Sequence, residues 1–218
     1  MRYEELTIEG RNAVLEAFRS GRTIDRLFVL KGCQDGPINS ILREARKRDT
    51  VISYVPRERL DHMSETGKHQ GVIAYAAAYE YAQVEDILQA AREKGEDPFL
   101  ILLDNIEDPH NLGAVIRTAN LAGAHGVIIP KRRAAGLTAT VAKASAGALN
   151  YTPVAKVTNL GTTIDELKKQ GIWFVCADMD GTVMYDVNLK CPIGLVIGNE
   201  GEGVSRLIRE KCDYQVSV

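Results

Sequence analysis

Apolar residues recur along this chain in two rhythms, and the change between them divides it. Over roughly the first 80 residues, short strand-like runs alternate irregularly with helical stripes. Val14, Leu15 and Phe18 stand at helical spacing within Gly10–Arg19, with Gly21 placed to stop the helix. Leu27–Leu30 predicts a strand. Ile38–Arg48 predicts a helix with Ile41, Leu42 and Ala45 inward, and Val51–Val55 and Val72–Tyr79 predict two more strands. Val84, Ile87, Leu88 and Ala91 form the single stripe of a short amphipathic helix, closed by Gly95 and Pro98.

From Phe99 onward the pattern becomes regular. Phe99–Leu103, Val127–Ile129, Val154–Val157, Ile172–Cys176 and Leu195–Ile197 read as buried strands, and Tyr214–Val218 as a last one. Between them lie helical stretches at Leu112–Ala122 and Thr138–Ala146, one capped by Thr158 and running to Gln170, and one capped by Ser205 and running to Lys211. Strands alternating with helices predict a parallel sheet covered on both faces. The fold class is therefore α/β. Residues 1–80 form a small mixed α/β domain, 81–97 a connector, and 98–218 a parallel-sheet domain.

Charge sharpens that division. The net charge is −2 over 218 residues. Residues 1–79 carry +2, residues 80–97 carry −4, and the remainder balances. A globally basic nucleic-acid binder is excluded, and local basic patches are not. No apolar run reaches the length of a membrane span. The four cysteines, at 33, 176, 191 and 212, contain no C-x-x-C pair. Neither a zinc site nor a disulfide framework is expected, and a reducing, cytoplasmic setting follows.

Two strand-to-helix turns hold the candidate chemistry. The first, Asp104–Ala119, reads D-N-I-E-D-P-H-N-L-G-A-V-I-R-T-A and follows a buried strand. It puts Asn105, Asn111 and Arg117 near a strand's carboxyl end, where open α/β sheets bind ligands. The second, Gly198–Gly203, reads G-N-E-G-E-G. It is neither a G-x-G-x-x-G dinucleotide turn nor a Walker loop, and implies a tight turn with close backbone approach. Each feature also has a plain structural use. Arg117 would pair with Glu107 or Asp108, Asn111 would cap its helix, and the glycines would make a loop with no ligand. Pro109 would only end the strand. Lys131, Arg132 and Arg133 follow another strand and are candidates for phosphate contacts, or else a solvated loop. Arg46 and Lys47 end a basic helix and are a second RNA candidate. Tyr75, Tyr79 and Tyr81 alternate as on a strand, to stack bases or to cover a sheet face.

The two turns, in this order, resemble the first and second motifs of the SpoU (TrmH-like) family of RNA 2'-O-ribose methyltransferases. I-E-G-R-N-A-V-L-E-A-F at Ile8–Phe18 and K-H-Q-G-V at Lys68–Val72 resemble the substrate-binding domain of the branch that methylates a guanosine ribose in bacterial 23S rRNA. The resemblance implies an L30e-like first domain, a SPOUT-type knotted second domain, a homodimer, S-adenosylmethionine as cofactor and rRNA rather than tRNA as substrate. It implies catalytic roles for Arg117, Asn111 and Glu200. Gly198, Asn199, Gly201 and Gly203 become the cofactor turn, and Val218 a further backbone contact to the cofactor. No metal is implied. The family's third motif, an S-L-N-V-S-type stretch opening a final helix, is absent from the 218 residues. With that wall missing, the resemblance implies weaker cofactor binding and an incomplete knot, and leaves a non-catalytic RNA-binding protein as an alternative.

A rival motif sits at Ile172–Val183. An apolar strand entering D-M-D-G-T resembles the nucleophile motif of haloacid-dehalogenase-like phosphatases, with Asp178 as nucleophile and Asp180 as acid/base. Only 38 residues follow Asp180, which leaves little room for the lysine, cap and later acids of that family and makes this the lesser alternative.

Overall fold

A computed structural model of the protein describes residues 6–217. The chain divides into two compact units. One comprises residues 1–80 with a short piece at 136–139, the other residues 81–135 and 140–218.

The first unit is a four-stranded mixed sheet. Its strands are β1 (Leu6–Glu9), β2 (Ile24–Leu30), β3 (Val51–Val55) and β4 (Val72–Ala76), in the order β1-β4-β2-β3. β4 lies antiparallel to β1 and β2, and β2 is parallel to β3. One core joins the sheet to α1 (Arg11–Arg19) and α2 (Gly36–Lys47) through Val14, Phe18, Leu27, Ile38, Ile41 and Val72. A smaller core packs Phe28, Val55, Leu60 and Ile73 beneath α3 (Arg57–Met63). α2 starts where it does because the Asp35 side chain accepts a hydrogen bond from the Ile38 amide at 3.1 Å. Arg46 and Lys47 in its last turn complement the helix dipole.

β1 and α3 have no counterpart in the sequence reading, being too short to show a full period. β4 also ends earlier than expected, at Ala76. Of the three tyrosines only Tyr75 lies in a strand, where its ring meets Phe28 edge-on at 5.2 Å. Tyr79 and Tyr81 lie beyond the strand and do not share a strand face with it.

The second unit is built on β5 (Phe99–Leu103), β6 (Gly126–Pro130), β7 (Val154–Val157), β8 (Trp173–Val183), β9 (Ile193–Ile197) and β10 (Tyr214–Ser217). Their order is β10-β8-β9-β5-β6-β7, and every pairing is parallel. From β5 the chain steps outward through β6 to β7. It then crosses back to build β8, β9 and β10 on the other side, so β5 and β9 form a topological switch point. A crevice opens at the carboxyl ends of such strands. α4 (Val84–Lys94), α7 (Leu160–Lys169) and α8 (Arg206–Arg209) cover one face through Ile87, Leu88, Ile164, Leu167 and Ile208, packed on Leu100, Leu102, Phe174 and Val196. The acidic segment around α4 thus contributes its apolar stripe to this core.

Several helix starts differ from expectation. α7 is capped by Asn159, whose side chain accepts from the Thr162 amide at 3.0 Å, not by Thr158. α8 follows Ser205, but the Ser205 hydroxyl caps nothing. The remaining helices, α5 (Pro109–Leu121) and α6 (Ala139–Ala144), follow β5 and β6.

Candidate functional site

The site is assembled where β5 and β9 end. Asp104 follows β5 and is buried at 7% exposure. Its amide donates to the Ile197 carbonyl at 2.9 Å, and its carboxylate accepts from the Ser205 amide at 2.8 Å. This one side chain therefore fixes the far end of the glycine turn against the strand carrying the first motif. Sequence reasoning gave it no role. The available signal was a carboxylate directly abutting a buried strand, where an unpaired charge is costly.

Asn105 adopts a left-handed backbone, φ 59°, a conformation asparagine tolerates better than most residues. Its carbonyl then accepts from the Asn199 side-chain amide at 3.3 Å. The same Asn199 side chain accepts from the Gly201 amide at 2.8 Å and the Glu202 amide at 3.4 Å. Its backbone exchanges two bonds with Gly203, at 3.1 and 2.8 Å. Asn199 is thus the internal strut of the turn. Gly198 is forced to be glycine, because a Cβ there would lie 2.0 Å from the Gly203 carbonyl carbon and 2.2 Å from the Val204 nitrogen. Gly203 takes φ +68° to close the loop.

α5 begins differently from the sequence reading. Asp108, not Asn111, is its cap, accepting from the His110 and Asn111 amides at 2.6 and 3.2 Å. Pro109 is the first helical residue, where its missing donor costs nothing. Asn111 is therefore free of capping duty. Its side-chain amide donates to Glu200 Oε1 at 3.0 Å, joining the first motif to the second.

Arg117 stands six residues further along α5 and is exposed. That is about 9 Å along the axis and about 120° around it from Asn111. It does not pair with Glu107 or Asp108, and it has no hydrogen bond or ion pair among the described residues. Its guanidinium is accordingly available to an external anion. The structure thus joins Asn111 to Glu200, beside Asn199, and shows no bond from Arg117 to any of them.

Lys131, Arg132 and Arg133 follow β6, the strand beside β5. The loop they begin returns to the first motif, with Ala135 donating to the Ile106 carbonyl at 2.9 Å. Arg132 and Arg133 are exposed. In the first unit, Lys47 is ion-paired with Glu44 at 3.0 Å, and Arg46 is exposed beside it. Val218 lies outside the described residues.

The rival motif has a different use. Gln215 pairs with Cys176 while the next residue, Val216, pairs with Thr182, so 177–181 bulge from β8. Gly181 lies so close to β10 that a Cβ would come within 2.5 Å of the Val216 backbone. Asp178 is ion-paired with Arg209 at 2.9 Å, and Arg209 donates to the Val204 carbonyl at 3.3 Å. The acidic bulge thereby braces the glycine turn, and Asp178 is engaged by a cation where a phosphatase needs a free nucleophile.

An apolar cleft of about 460 Å³, lined by Phe99, Val175, Met184, Leu189, Ile193 and Val216 among others, lies against the sheet face that α4, α7 and α8 leave uncovered and does not include the turn.

Comparison with known proteins gives this arrangement a class. Residues 98–218 match the model of the SpoU rRNA Methylase family, and residues 7–82 match that of the RNA 2'-O ribose methyltransferase substrate-binding domain. A Bacillus subtilis protein named as a TrmH family tRNA/rRNA methyltransferase, YacO, is 49% identical over 96% of this chain and 84% of its own length. A protein of the same description from Staphylococcus haemolyticus is 44% identical over 99% of this chain and 86% of its own. Among solved structures, the SpoU methyltransferase AviRb from Streptomyces viridochromogenes, in complex with AdoMet, superposes with a TM-score of 0.59. It is 26% identical, and the match covers 98% of this chain and 80% of that one. The protein is of the RNA-methyltransferase class. The chain belongs to the SpoU rRNA methylase family, which removes the phosphatase reading.

Proposed function

We propose that the chain transfers a methyl group from S-adenosylmethionine to a ribose 2'-hydroxyl of RNA, with a guanosine of 23S rRNA as the target. The observation that carries this reading is the Asn111–Glu200 bond, which ties the two motif loops together at the switch point of the sheet. The glycine turn suits the cofactor in kind. Among the described residues, the carbonyls of Glu200 and Gly201 make no hydrogen bond, and such acceptors match the amino group of adenine. Gly198, Asn199, Gly201 and Gly203 would hold the cofactor, which supplies an already activated methyl group. Val218 is carried as a further contact on the resemblance alone.

The remaining work falls to side chains. Arg117 stays protonated in any protein environment and is a poor base. Its planar fork suits two oxygens at once, so it would grip the phosphate beside the target ribose and stabilise the oxyanion left when the 2'-hydroxyl gives its proton to solvent water. Glu200 orients Asn111, whose amide positions the ribose. Arg132 and Arg133, with Lys131, hold flanking phosphates, and Arg46 and Lys47 supply a second basic patch on the first unit. The enzyme works as a homodimer in the cytoplasm. No helix among the described residues is long and apolar enough to cross a membrane. Mapping ribose methylation across 23S rRNA and tRNA from cells with and without the protein tests the target. A single guanosine site in 23S rRNA is expected to depend on it. Dependence confined to tRNA overturns the choice of substrate.

A further inference from the structure

The first unit contains a cleft that the methyl-transfer site does not use. It has a volume of about 490 Å³ and is lined by Arg11, Leu30, Cys33, Arg57, Gly67, His69, Gln70 and Gly71. That is within the ~300–1,000 Å³ range of ordinary ligand sites. It lies at the carboxyl ends of the parallel pair β2 and β3, where Leu30 is in register with Val55. Carboxyl strand ends are the usual ligand-binding edge of such sheets.

Its walls are firmly built. Gln70 holds a left-handed backbone, φ 50°, which a non-glycine residue adopts at a cost of about 1–3 kcal/mol. That conformation turns the Gln70 side chain onto the start of α1, where its oxygen accepts from the Arg11 amide at 3.1 Å. The Arg11 guanidinium returns a bond to the Gln70 carbonyl at 3.1 Å and pairs with Asp35 at 2.6 Å. His69 is buried, and its Nδ1 accepts from the Gly71 amide at 3.0 Å. Its Nε2 therefore carries the proton and donates to Asp61 at 2.8 Å. Glu9 fixes the preceding loop, accepting from the Ser64 hydroxyl and from the amide and hydroxyl of Thr66.

Asp35, Asp61 and Glu9 are thus engaged at short range, while one cation is held only loosely. Arg57 is 74% exposed and approaches Asp61 only to 3.9 Å. It also opens α3, the end of a helix where a positive charge is disfavoured.

We propose that this cleft takes one unstacked nucleotide of the RNA substrate, with Arg57 on its phosphate and its base against Leu30, Cys33 and the backbone of Gly71. The inference rests on RNA being the substrate, as argued above. A half-apolar floor with a cation at the rim suits a splayed base and its phosphate. A base paired within a duplex cannot enter. Arg11 is a wall, held by Asp35, and Arg57 is the contact.

The test is fluorescence anisotropy of the full chain with a labelled single-stranded rRNA fragment, and with the same strand annealed to its complement, over a salt series. Arg57→Ala is expected to weaken single-strand binding about tenfold and to flatten the slope of log affinity against log salt by about 0.7. The same charge change at exposed Arg19 should have no effect, and S-adenosylmethionine affinity should be unchanged in both variants. Indistinguishable Arg57→Ala and Arg19→Ala curves overturn the proposal, as does duplex binding with the same dependence on Arg57. If the unaltered chain bound neither RNA, the substrate reading itself would fall with it. Binding that ignores Arg57 removes only the cleft.

Discussion

Replacing Gly198 by alanine puts the proposed cofactor turn under a defined load. The new Cβ would sit 2.0 Å from the Gly203 carbonyl carbon, 2.2 Å from its oxygen and 2.2 Å from the Val204 nitrogen. These are backbone atoms and cannot rotate away. Relief requires opening the Asn199–Gly203 pair, which costs two backbone bonds of 3.1 and 2.8 Å. At about 0.5–1.5 kcal/mol each, that is about 1–3 kcal/mol. Leaving the turn closed instead costs about 1–3 kcal/mol of overpacking, at the high end for immovable neighbours. Cofactor binding has to restore the closed turn, so about 2–3 kcal/mol should be lost from affinity, or roughly 30- to 150-fold. Gly36→Ala, in the first unit, is the control. Its Cβ would meet nothing within 4 Å, and it should change affinity less than about threefold, close to the neutral range for such sites. Calorimetric titration with S-adenosylmethionine reads both. Equal affinities for Gly198→Ala and the unaltered protein would refute the assignment of this turn to the cofactor.

Arg117→Lys should nearly abolish turnover and leave cofactor affinity intact, because lysine keeps the charge but loses the planar fork. A variant retaining most of its activity in a methyl-transfer assay would reduce Arg117 to a simple charge. Asn111→Ala should lower kcat without unfolding α5, since Asp108 caps that helix, whereas Asp108→Ala should cost about 0.5–2 kcal/mol in a urea melt. Equal melts for the two variants would contradict the division of labour. Glu9 gives a pH dependence. Burial raises its pKa, but the hydrogen bonds from Ser64, Thr66 and the Glu65 and Thr66 amides outweigh this, and its carboxyl is held below the usual value. A depressed folded pKa stabilises above the unfolded value of about 4.3. That stability is lost as pH falls through the folded value. Glu9→Gln should therefore be less stable than the unaltered protein at neutral pH, and the difference should shrink below pH about 4. A difference independent of pH would show the carboxylate charge to be irrelevant.

The sequence carried the second unit better than the first, for a physical reason. Strands such as β5 and β9 are buried on both faces and read as unbroken apolar runs. Their loops are set by short-range glycine, proline and asparagine chemistry. The Arg117 and glycine-turn segments could be located for the same reason. What stayed hidden depends on contacts between residues distant in the chain. Glu200 meets Asn111 across 89 positions, and Asp104 meets Ser205 across 101. Asp178 looked like a nucleophile because its neighbours in sequence suggest one, while its partner Arg209 lies 31 residues on. Capping was misplaced on α5 and α7 for a smaller reason. Asp108 and Asn111, like Thr158 and Asn159, are all competent caps, and only backbone geometry chooses between them.

The central claim is that this fold methylates a ribose oxygen, and alkali tests it directly. Strand cleavage by alkali uses the 2'-hydroxyl as its nucleophile, so a methyl group on that oxygen protects the adjoining linkage. RNA incubated with the protein and methyl-labelled S-adenosylmethionine should, after complete alkaline hydrolysis, keep its label in dinucleotides, and Arg117→Lys should remove the label. Label recovered in mononucleotides would place the methyl on a base and contradict the account.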